Sequence, residues 1–219
     1  MSRPVDQDLG VQAAVAIDRR AGVLLFLNRK GYAGALVCLD CGQVPRCPAC
    51  HVALMYSRQA ARLSCSYCGG TAPIPETCGF CSGPRMQLIG EGTERVEEDA
   101  NRLFPHASVI RLDGDTMRRP AQAEALWRRV EQGRWDIIVG TQLLLRHGPL
   151  PTMGLVGIVQ ADAGLSVPDF RSAERTYHML LDAVSLAHPA GVGGQVIMQT
   201  CLSSHHAIQA VAKNDESVF

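Results

Sequence analysis

Short apolar runs of strand length alternate along the chain with longer stretches whose apolar positions recur at helical spacing. The runs typical of buried strands are VLLFLN (23–28), SVIRLD (108–113), WDIIVGTQ (135–142), GLVGIVQAD (154–162) and GQVIMQT (194–200). The helical stretches are GEGTERVEEDANRLF (90–104, with Thr93 as the expected N-cap), AQAEALWRRVEQG (121–133), SAERTYHMLLDAVSLAH (172–188) and SSHHAIQAVAKND (203–215). Strands alternating with helices of this length predict an α/β fold on a parallel sheet.

Cysteines interrupt this pattern after the first strand. Eight of the nine lie between residues 38 and 81, always as Cys-x-x-Cys: CLDC, CPAC, CSYC and CGFC. Two residues between thiolates let one tight turn direct both sulfurs at one metal, and Zn²⁺ takes four such ligands tetrahedrally. Four turns therefore predict two closed, structural zinc sites, in preference to disulfides or an iron–sulfur cluster. We predict one α/β domain from residues 1–37 and 82–219, with 38–81 inserted as a small two-zinc, zinc-ribbon-like module.

The four turns allow three pairings. The segment between CPAC and CSYC, HVALMYSRQAARLS (51–64), can form a hairpin with those turns at its ends, which is zinc-ribbon geometry. CLDC is then left to meet CGFC, and we favour this nested arrangement over a cross-braced one. It gives Cys38, Cys41, Cys78 and Cys81 at one site and Cys47, Cys50, Cys65 and Cys68 at the other. A segment so poor in large apolar groups needs metal to fold.

Charge gives no general indication of a nucleic-acid partner. Basic and acidic residues number 21 each, and each zinc–thiolate centre would add two negative charges. Nucleic-acid contacts from the cysteine segment would have to come from Arg46, Arg58, Arg62 or Arg85. The ninth cysteine, Cys201, ends a predicted strand, where we expect a buried, inert thiol. The chain has no apolar run near 18 residues and no secretory signal pattern, so we expect a cytoplasmic protein.

Four stretches carry a resemblance to a known family: FLNRKGYAGALVCLDCG (26–42), GEGTERVEEDANRLFP (90–105), DIIVGTQ (136–142) and AD-x₆-DFRSAERT (161–176). From about residue 15 onward the chain resembles the second motor lobe of the primosomal replication-restart helicases, with the cysteines in register. This resemblance implies a RecA-like lobe of a superfamily-2 helicase and two Zn²⁺ ions held by the nested cysteine sets. The implied partners are forked and single-stranded DNA, single-strand-binding protein, and the primosome proteins that reload the replicative helicase.

Two motifs depart from the family pattern. After Gly-Thr-Gln the chain reads LLLRHGPLP instead of a Lys-Gly-His-Asp stretch. Where the family has Gln-x-x-Gly-Arg-x-Gly-Arg, this chain has DAVSLAHP (182–189), so the two arginines fall on Leu186 and Pro189. Such arginines neutralise charge that develops on a transferring phosphoryl group, and Asp182 would instead repel a triphosphate. The chain also lacks G-x-x-x-x-G-K-[ST]. We therefore expect a fragment of a larger protein, ending near NDESVF, without ATPase activity and with doubtful ATP binding.

The resemblance places Thr93, Arg95, Thr141 and Gln142 at an edge facing DNA. A helix N-terminus with free N–H groups suits a phosphate, although a capped helix and a strand end explain these residues equally well. Capping also accounts for the His205-His206 pair at a helix start.

Three functions are compatible with the sequence. The first is a non-catalytic replication-restart factor that binds forked or single-stranded DNA and recruits primosome proteins. The second is an ATP-dependent 3′–5′ DNA helicase in the full-length form. The third is a zinc-stabilised fold that binds only proteins. The replaced arginines favour the first.

Overall fold

A computed structural model of the chain describes residues 4–27, 33–57, 61–65, 67–89, 92–114, 116–147, 149–165 and 170–219. Its strands are β1 (Val23–Leu27), β2 (Ala33–Cys38), β3 (Met55–Ser57), β4 (Arg62–Ser64), β5 (Thr71–Ala72), β6 (Met86–Ile89), β7 (Val109–Leu112), β8 (Ile137–Thr141), β9 (Leu155–Val159) and β10 (Gln195–Met198). Its α-helices are α1 (Gln7–Asp18), α2 (Thr93–Leu103), α3 (Pro120–Glu131), α4 (Leu144–His147), α5 (Ser172–Val184) and α6 (His206–Lys213). Within these ranges no helix is both long and apolar enough to cross a membrane.

The chain divides into two compact units. The α/β unit comprises Met1–Lys30 and Thr93–Phe219, and the cysteine unit comprises Gly31–Gly92. The cysteine unit extends beyond residues 38–81 because β2 and β6, on either side of the cysteines, pair with each other from Ala35↔Ile89 to Cys38↔Met86.

The α/β unit is built on a five-stranded sheet in the order β10-β9-β1-β8-β7. Every neighbouring pair is parallel, which confirms the predicted fold class. All five residues of the central strand β1 are buried, as expected for a strand covered on both faces.

Alternate side chains of β1 enter two separate cores because successive residues of a strand point to opposite faces. Leu25 packs in a cluster with residues of α1 and α2, whereas Phe26 packs in a cluster with residues of α5 and α6. In β9, Gly157 leaves room for α1, since a Cβ at this position would lie 2.5 Å from Cδ1 of Leu9. The helices therefore cover both faces of the sheet.

Four details differ from the sequence-based expectations. Helix α1 was not predicted, and Thr93 is the first residue of α2 rather than its N-cap. Helix α5 ends at Val184 instead of continuing to residue 188, because the following segment hydrogen-bonds to the chain around Met153. The expectation of a buried Cys201 is wrong: its side chain is exposed, beyond the end of β10.

The cysteine unit contains an antiparallel sheet in the order β5-β4-β3-β2-β6. Strands β3 and β4 form the hairpin predicted between CPAC and CSYC. Its buried apolar core is small, consisting of Leu36, Leu54 and Leu63 together with Cys47 and Cys65. Two of the metal-ligand candidates are thus themselves part of the core.

Candidate metal centres

The four Cys-x-x-Cys turns share one hydrogen-bond pattern. In each turn the carbonyl of the first cysteine accepts from the N–H four residues later, and its N–H donates to the carbonyl five residues later. The four carbonyl acceptors are Cys38, Cys47, Cys65 and Cys78, with donor–acceptor distances of 2.8, 2.8, 3.0 and 2.8 Å. Each turn therefore directs its two cysteine side chains in the same way, independently of the sequence between them.

This pattern needs a left-handed residue four positions after the first cysteine. Gly42 and Gly69 occupy this position in two turns, with φ of 74° and 73°. His51 and Ser82 occupy it in the other two, with φ of 57° and 58°. Sequence analysis did not identify His51 and Ser82 at this position; the signal that could have found them is the shared spacing from the first cysteine of each turn. His51 thus has a backbone role in its turn.

The turns bring the eight sulfurs together in two groups of four. Cys38, Cys41, Cys78 and Cys81 form one group and Cys47, Cys50, Cys65 and Cys68 the other, with all ligand atoms of a group within 4.8 Å of one another. These groups are the ones that the nested arrangement predicts. We refer to them as the outer centre and the inner centre, respectively.

The sulfur spacing fits a tetrahedral ion. Zn–S bonds of about 2.3 Å place the sulfurs of a tetrahedral site about 3.8 Å apart. The Sγ–Sγ distances are 3.6 Å for Cys38–Cys81, 3.7 Å for Cys41–Cys78 and 3.7 Å for Cys47–Cys68. Four sulfur ligands in a closed set are the donors that structural Zn²⁺ takes, and both groups could hold one ion.

Main-chain N–H groups favour the thiolate at one cysteine of each centre. N–H groups of Cys68 and Tyr67 lower the pKa of Cys65 to about 7, and those of Cys81 and Phe80 lower the pKa of Cys78 to about 7. In contrast, the neighbouring Cys68 sulfur and burial raise the pKa of Cys50 to about 12. Crowded thiolates repel one another, so full ionisation of such a set requires a bound cation.

An ion pair lies beside the outer centre. Arg85 Nε lies 2.5 Å from Asp40 Oδ1, and the main-chain N–H of Arg85 donates to Asp40 Oδ2 at 3.4 Å. The hydrogen bond from the Arg85 side chain lowers the pKa of Asp40. Asp40 lies within the CLDC turn, and the pair links this turn to the start of β6. Arg85 is therefore engaged within the unit, as is Arg46, which donates to the carbonyl of His51. Arg58 lies outside the described residues.

The residues predicted to face DNA lie along the carboxyl edge of the parallel sheet. Thr141 ends β8, Gln142 follows it, and the neighbouring strand β7 leads into Asp113. The hydroxyl of Thr93, in the first turn of α2, donates to the buried carboxylate of Asp113. The structure therefore brings Thr93 and Thr141 to one edge. Arg95 lies in the same turn of α2 and is half-buried.

Asp113 belongs to a charged cluster that sequence reasoning missed. Arg111 lies 3.3 Å from Glu94 and Glu97 and 3.4 Å from Asp113, and its side chain is only 14% exposed. Burial raises the pKa of Glu97, and the nearby Arg111 charge opposes that shift. The alternating polar positions of SVIRLD contained the signal, since an arginine within a short strand must find partners.

The segment in place of the two family arginines is folded against the α/β core. Leu186 packs against the core cluster, and its carbonyl accepts from the N–H of Met153 at 2.8 Å. Pro189 precedes a 3₁₀ helix, and Asp182 lies near the end of α5. Farther along, Nδ1 of His205 accepts from the N–H of Ala207 at 3.2 Å, which confirms its capping role.

The described residues define an α/β protein on a parallel sheet, with an inserted antiparallel unit that carries two Cys₄ groups able to hold metal ions. Comparisons with known proteins identify the relatives. The chain is 41% identical over 196 residues to the replication restart protein PriA of Bacillus subtilis, which is 90% of this chain and 24% of that protein. It is 36% identical over 197 residues to PriA of Haemophilus influenzae and 38% identical over 200 residues to PriA of Synechocystis, again over 90% of this chain but 27% and 24% of those proteins.

These matches confirm the resemblance to the primosomal restart helicases: the chain is a relative of PriA over nine tenths of its length. It spans about a quarter of the length of these relatives. No family model matches the chain.

Proposed function

We propose that the protein is a replication-restart factor that binds forked or single-stranded DNA and recruits primosome proteins. The proposed partners are single-strand-binding protein and the proteins that load the replicative helicase, in the cytoplasm at replication forks. Support comes from the relatives, which are named replication restart protein PriA. Since the chain spans about a quarter of those proteins, their activity as a whole is part of the proposal.

The proposed DNA contacts lie at the carboxyl edge of the sheet, where open α/β sheets bind their ligands. They are Thr93, Arg95, Thr141 and Gln142. The Thr93 hydroxyl is already bonded to Asp113, so this residue would contact a phosphate through its main-chain N–H. Arg95 would add the positive charge that makes such contacts salt-dependent.

The proposed cofactors are two structural Zn²⁺ ions, one at the outer centre and one at the inner centre. A closed set of four thiolates leaves no position for water, so the ions would supply folding energy rather than catalysis. With its few buried leucines, the cysteine unit could not form a sufficient core without them. We propose that the loaded unit serves as the docking platform for primosome proteins.

The proposal includes the loss of ATPase activity. One observation carries this inference: the chain has no lysine or arginine between Thr176 and Ala212, a span that includes the positions of both family arginines. Phosphoryl transfer relies on such cations to stabilise charge in the transition state, and their contribution reaches several orders of magnitude. At one of these positions the chain instead has Leu186, an apolar side chain that packs against the core cluster and carries no charge.

The test compares ATP hydrolysis and DNA binding by the full-length gene product. Binding of a forked oligonucleotide that weakens as salt rises, without fork-stimulated turnover, supports the proposal. Turnover stimulated by the fork would instead establish the alternative, an ATP-dependent 3′–5′ helicase. Absence of fork binding at low salt would leave the protein-binding fold as the better description. A full-length variant that carries Leu186→Arg and Pro189→Arg shows whether restoring these two arginines is enough to produce fork-stimulated ATP hydrolysis.

A further inference from the structure

A buried carboxylate joins the end of β7 to the start of α2. The side chain of Asp113 is only 6% exposed, and a carboxylate at this depth must be compensated by donors or cations. It accepts from the hydroxyl of Thr93 and, at 2.9 Å, from the main-chain N–H of Thr116. Arg111 Nε lies 3.4 Å from Oδ2 of Asp113, the same oxygen that accepts from the Thr93 hydroxyl. One carboxylate thus connects a strand end, a loop and the first residue of a helix.

Arg111 makes a second connection between the same two elements. Its guanidinium lies 3.3 Å from the carboxylates of both Glu94 and Glu97. These glutamates are three residues apart and therefore lie on one face of α2. A strand residue consequently contacts two positions about one turn apart near the start of the helix. Three carboxylates surround one guanidinium, so loss of the arginine would leave like charges close together.

The first turn of a helix is held only weakly from within because its N–H groups have no partners inside the helix, so side-chain contacts to other elements help to fix it. In α2 this turn carries Arg95 and the main-chain groups proposed to meet DNA. We propose that Asp113 and Arg111 are positioning residues that fix the first turn of α2 and so orient its phosphate contacts. They would not touch DNA themselves, because the Asp113 carboxylate would repel a phosphate and the Arg111 guanidinium is 14% exposed and already lies among three carboxylates. The first half of this inference is that the two residues fix the first turn of α2, and it does not depend on the proposed function. The second half, that they thereby orient phosphate contacts, rests on the proposed function.

The test of the first half is hydrogen exchange on the zinc-loaded chain. In α-helix geometry the amides of Glu97 and Glu98 donate to the carbonyls of Thr93 and Glu94, so their exchange reports opening of the first turn. Thr93→Val removes the hydroxyl at nearly constant volume, and Asp113→Asn removes the charge at nearly constant shape. Each should accelerate exchange of these two amides about tenfold, because Thr93→Val removes a hydrogen bond to a charged acceptor and Asp113→Asn removes the charge from that acceptor. The amides of α5 should not change.

The double variant, which carries both Thr93→Val and Asp113→Asn, shows whether Thr93 and Asp113 act through each other. If they do, its effect will be smaller than the product of the single effects. The matched control is Thr152→Val, the same change at an exposed threonine of the same unit, and it should alter neither set of amides. Unchanged exchange in the single variants, or equal acceleration throughout α2 and α5, would overturn the positioning role. Thr93→Val keeps the test decisive if Asp113→Asn does not fold.

The second half is tested by affinity for a forked oligonucleotide at two salt concentrations. Thr93→Val and Asp113→Asn should weaken binding several-fold, whereas Thr152→Val should not. Faster exchange with unchanged affinity would overturn the link to DNA but leave the anchoring of α2 intact. If the unmodified protein binds no fork, the proposed function fails, and hydrogen exchange alone decides the structural half.

Discussion

The turn geometry of the cysteine unit makes a quantitative prediction for Gly69→Ala. Gly69 has φ of 73°, in the left-handed region, and a Cβ at this position would meet no atom within 4 Å. Steric overlap therefore contributes nothing, and the whole cost is the backbone conformation. For an alanine in the left-handed region this cost is about 1–2 kcal/mol.

The cost should appear as weaker metal binding, because the folding of this unit is coupled to its ions. Each 1.4 kcal/mol corresponds to about a tenfold change in an equilibrium constant, so the zinc affinity of the inner centre should fall about 5- to 30-fold. Competition with a chromophoric chelator measures this directly. One of the two ions should be released at lower chelator concentration, while the ion of the outer centre should be retained.

The matched control is Gly79→Ala in the CGFC turn. A Cβ there also meets nothing within 4 Å, but Gly79 is outside the left-handed region, so no comparable loss is expected. The reverse change, Ser82→Gly, should strengthen zinc binding at the outer centre because it removes a strained left-handed serine. Equal losses for Gly69→Ala and Gly79→Ala would refute the assignment of the cost to backbone conformation.

Three further predictions concern the metals, the sheet and a partly buried carboxyl group. Cys65→Ser should lower the zinc content from about two ions per chain to about one by metal analysis, whereas Cys201→Ser should leave two; a loss in the latter would contradict the assigned ligands. Gly157→Ala should destabilise the α/β unit by about 1–3 kcal/mol in thermal unfolding followed by tryptophan fluorescence, because its Cβ overlaps a leucine of α1, whereas Gly191→Ala, in open space, should not. Burial raises the pKa of Glu97, so the folded state favours its protonated form, and this contribution to stability is lost as pH rises through the folded pKa. The Glu97→Gln variant cannot ionise, so it should gain stability relative to the parent as pH rises from about 4, and a relative loss would contradict this.

The sequence was sufficient for the sheet because its strands are buried on both faces. A strand such as β1 has no polar positions and so stands out from the flanking polar helices. The grouping of the cysteines was also predictable, since only one pairing uses the β3–β4 hairpin as its connection. In each case a local pattern determines a local structure.

Features that depend on distant partners could not be predicted in this way. The end of α5 is set by the hydrogen bond between Leu186 and Met153, which are far apart in the sequence. Helix α1 was missed although Leu9, Ala13 and Ala16 follow helical spacing and Asp6 caps it, because small residues give a weak apolar signal. The two glutamate partners of Arg111 lie on helix α2 and were not visible from the strand alone.

The pairing of β2 with β6 has a consequence for how such a unit can be gained or lost. Hydrogen-bonded strands lie about 4.8 Å apart, so the two strands that flank the cysteines, paired from Ala35↔Ile89 to Cys38↔Met86, run side by side. A host fold therefore needs to accommodate only two adjacent strands, as it would for a simple hairpin, whatever the length of the chain between β2 and β6. Insertion or deletion of the whole unit is thus a single local event, and the two metal centres can evolve without altering the register of any strand in the host sheet.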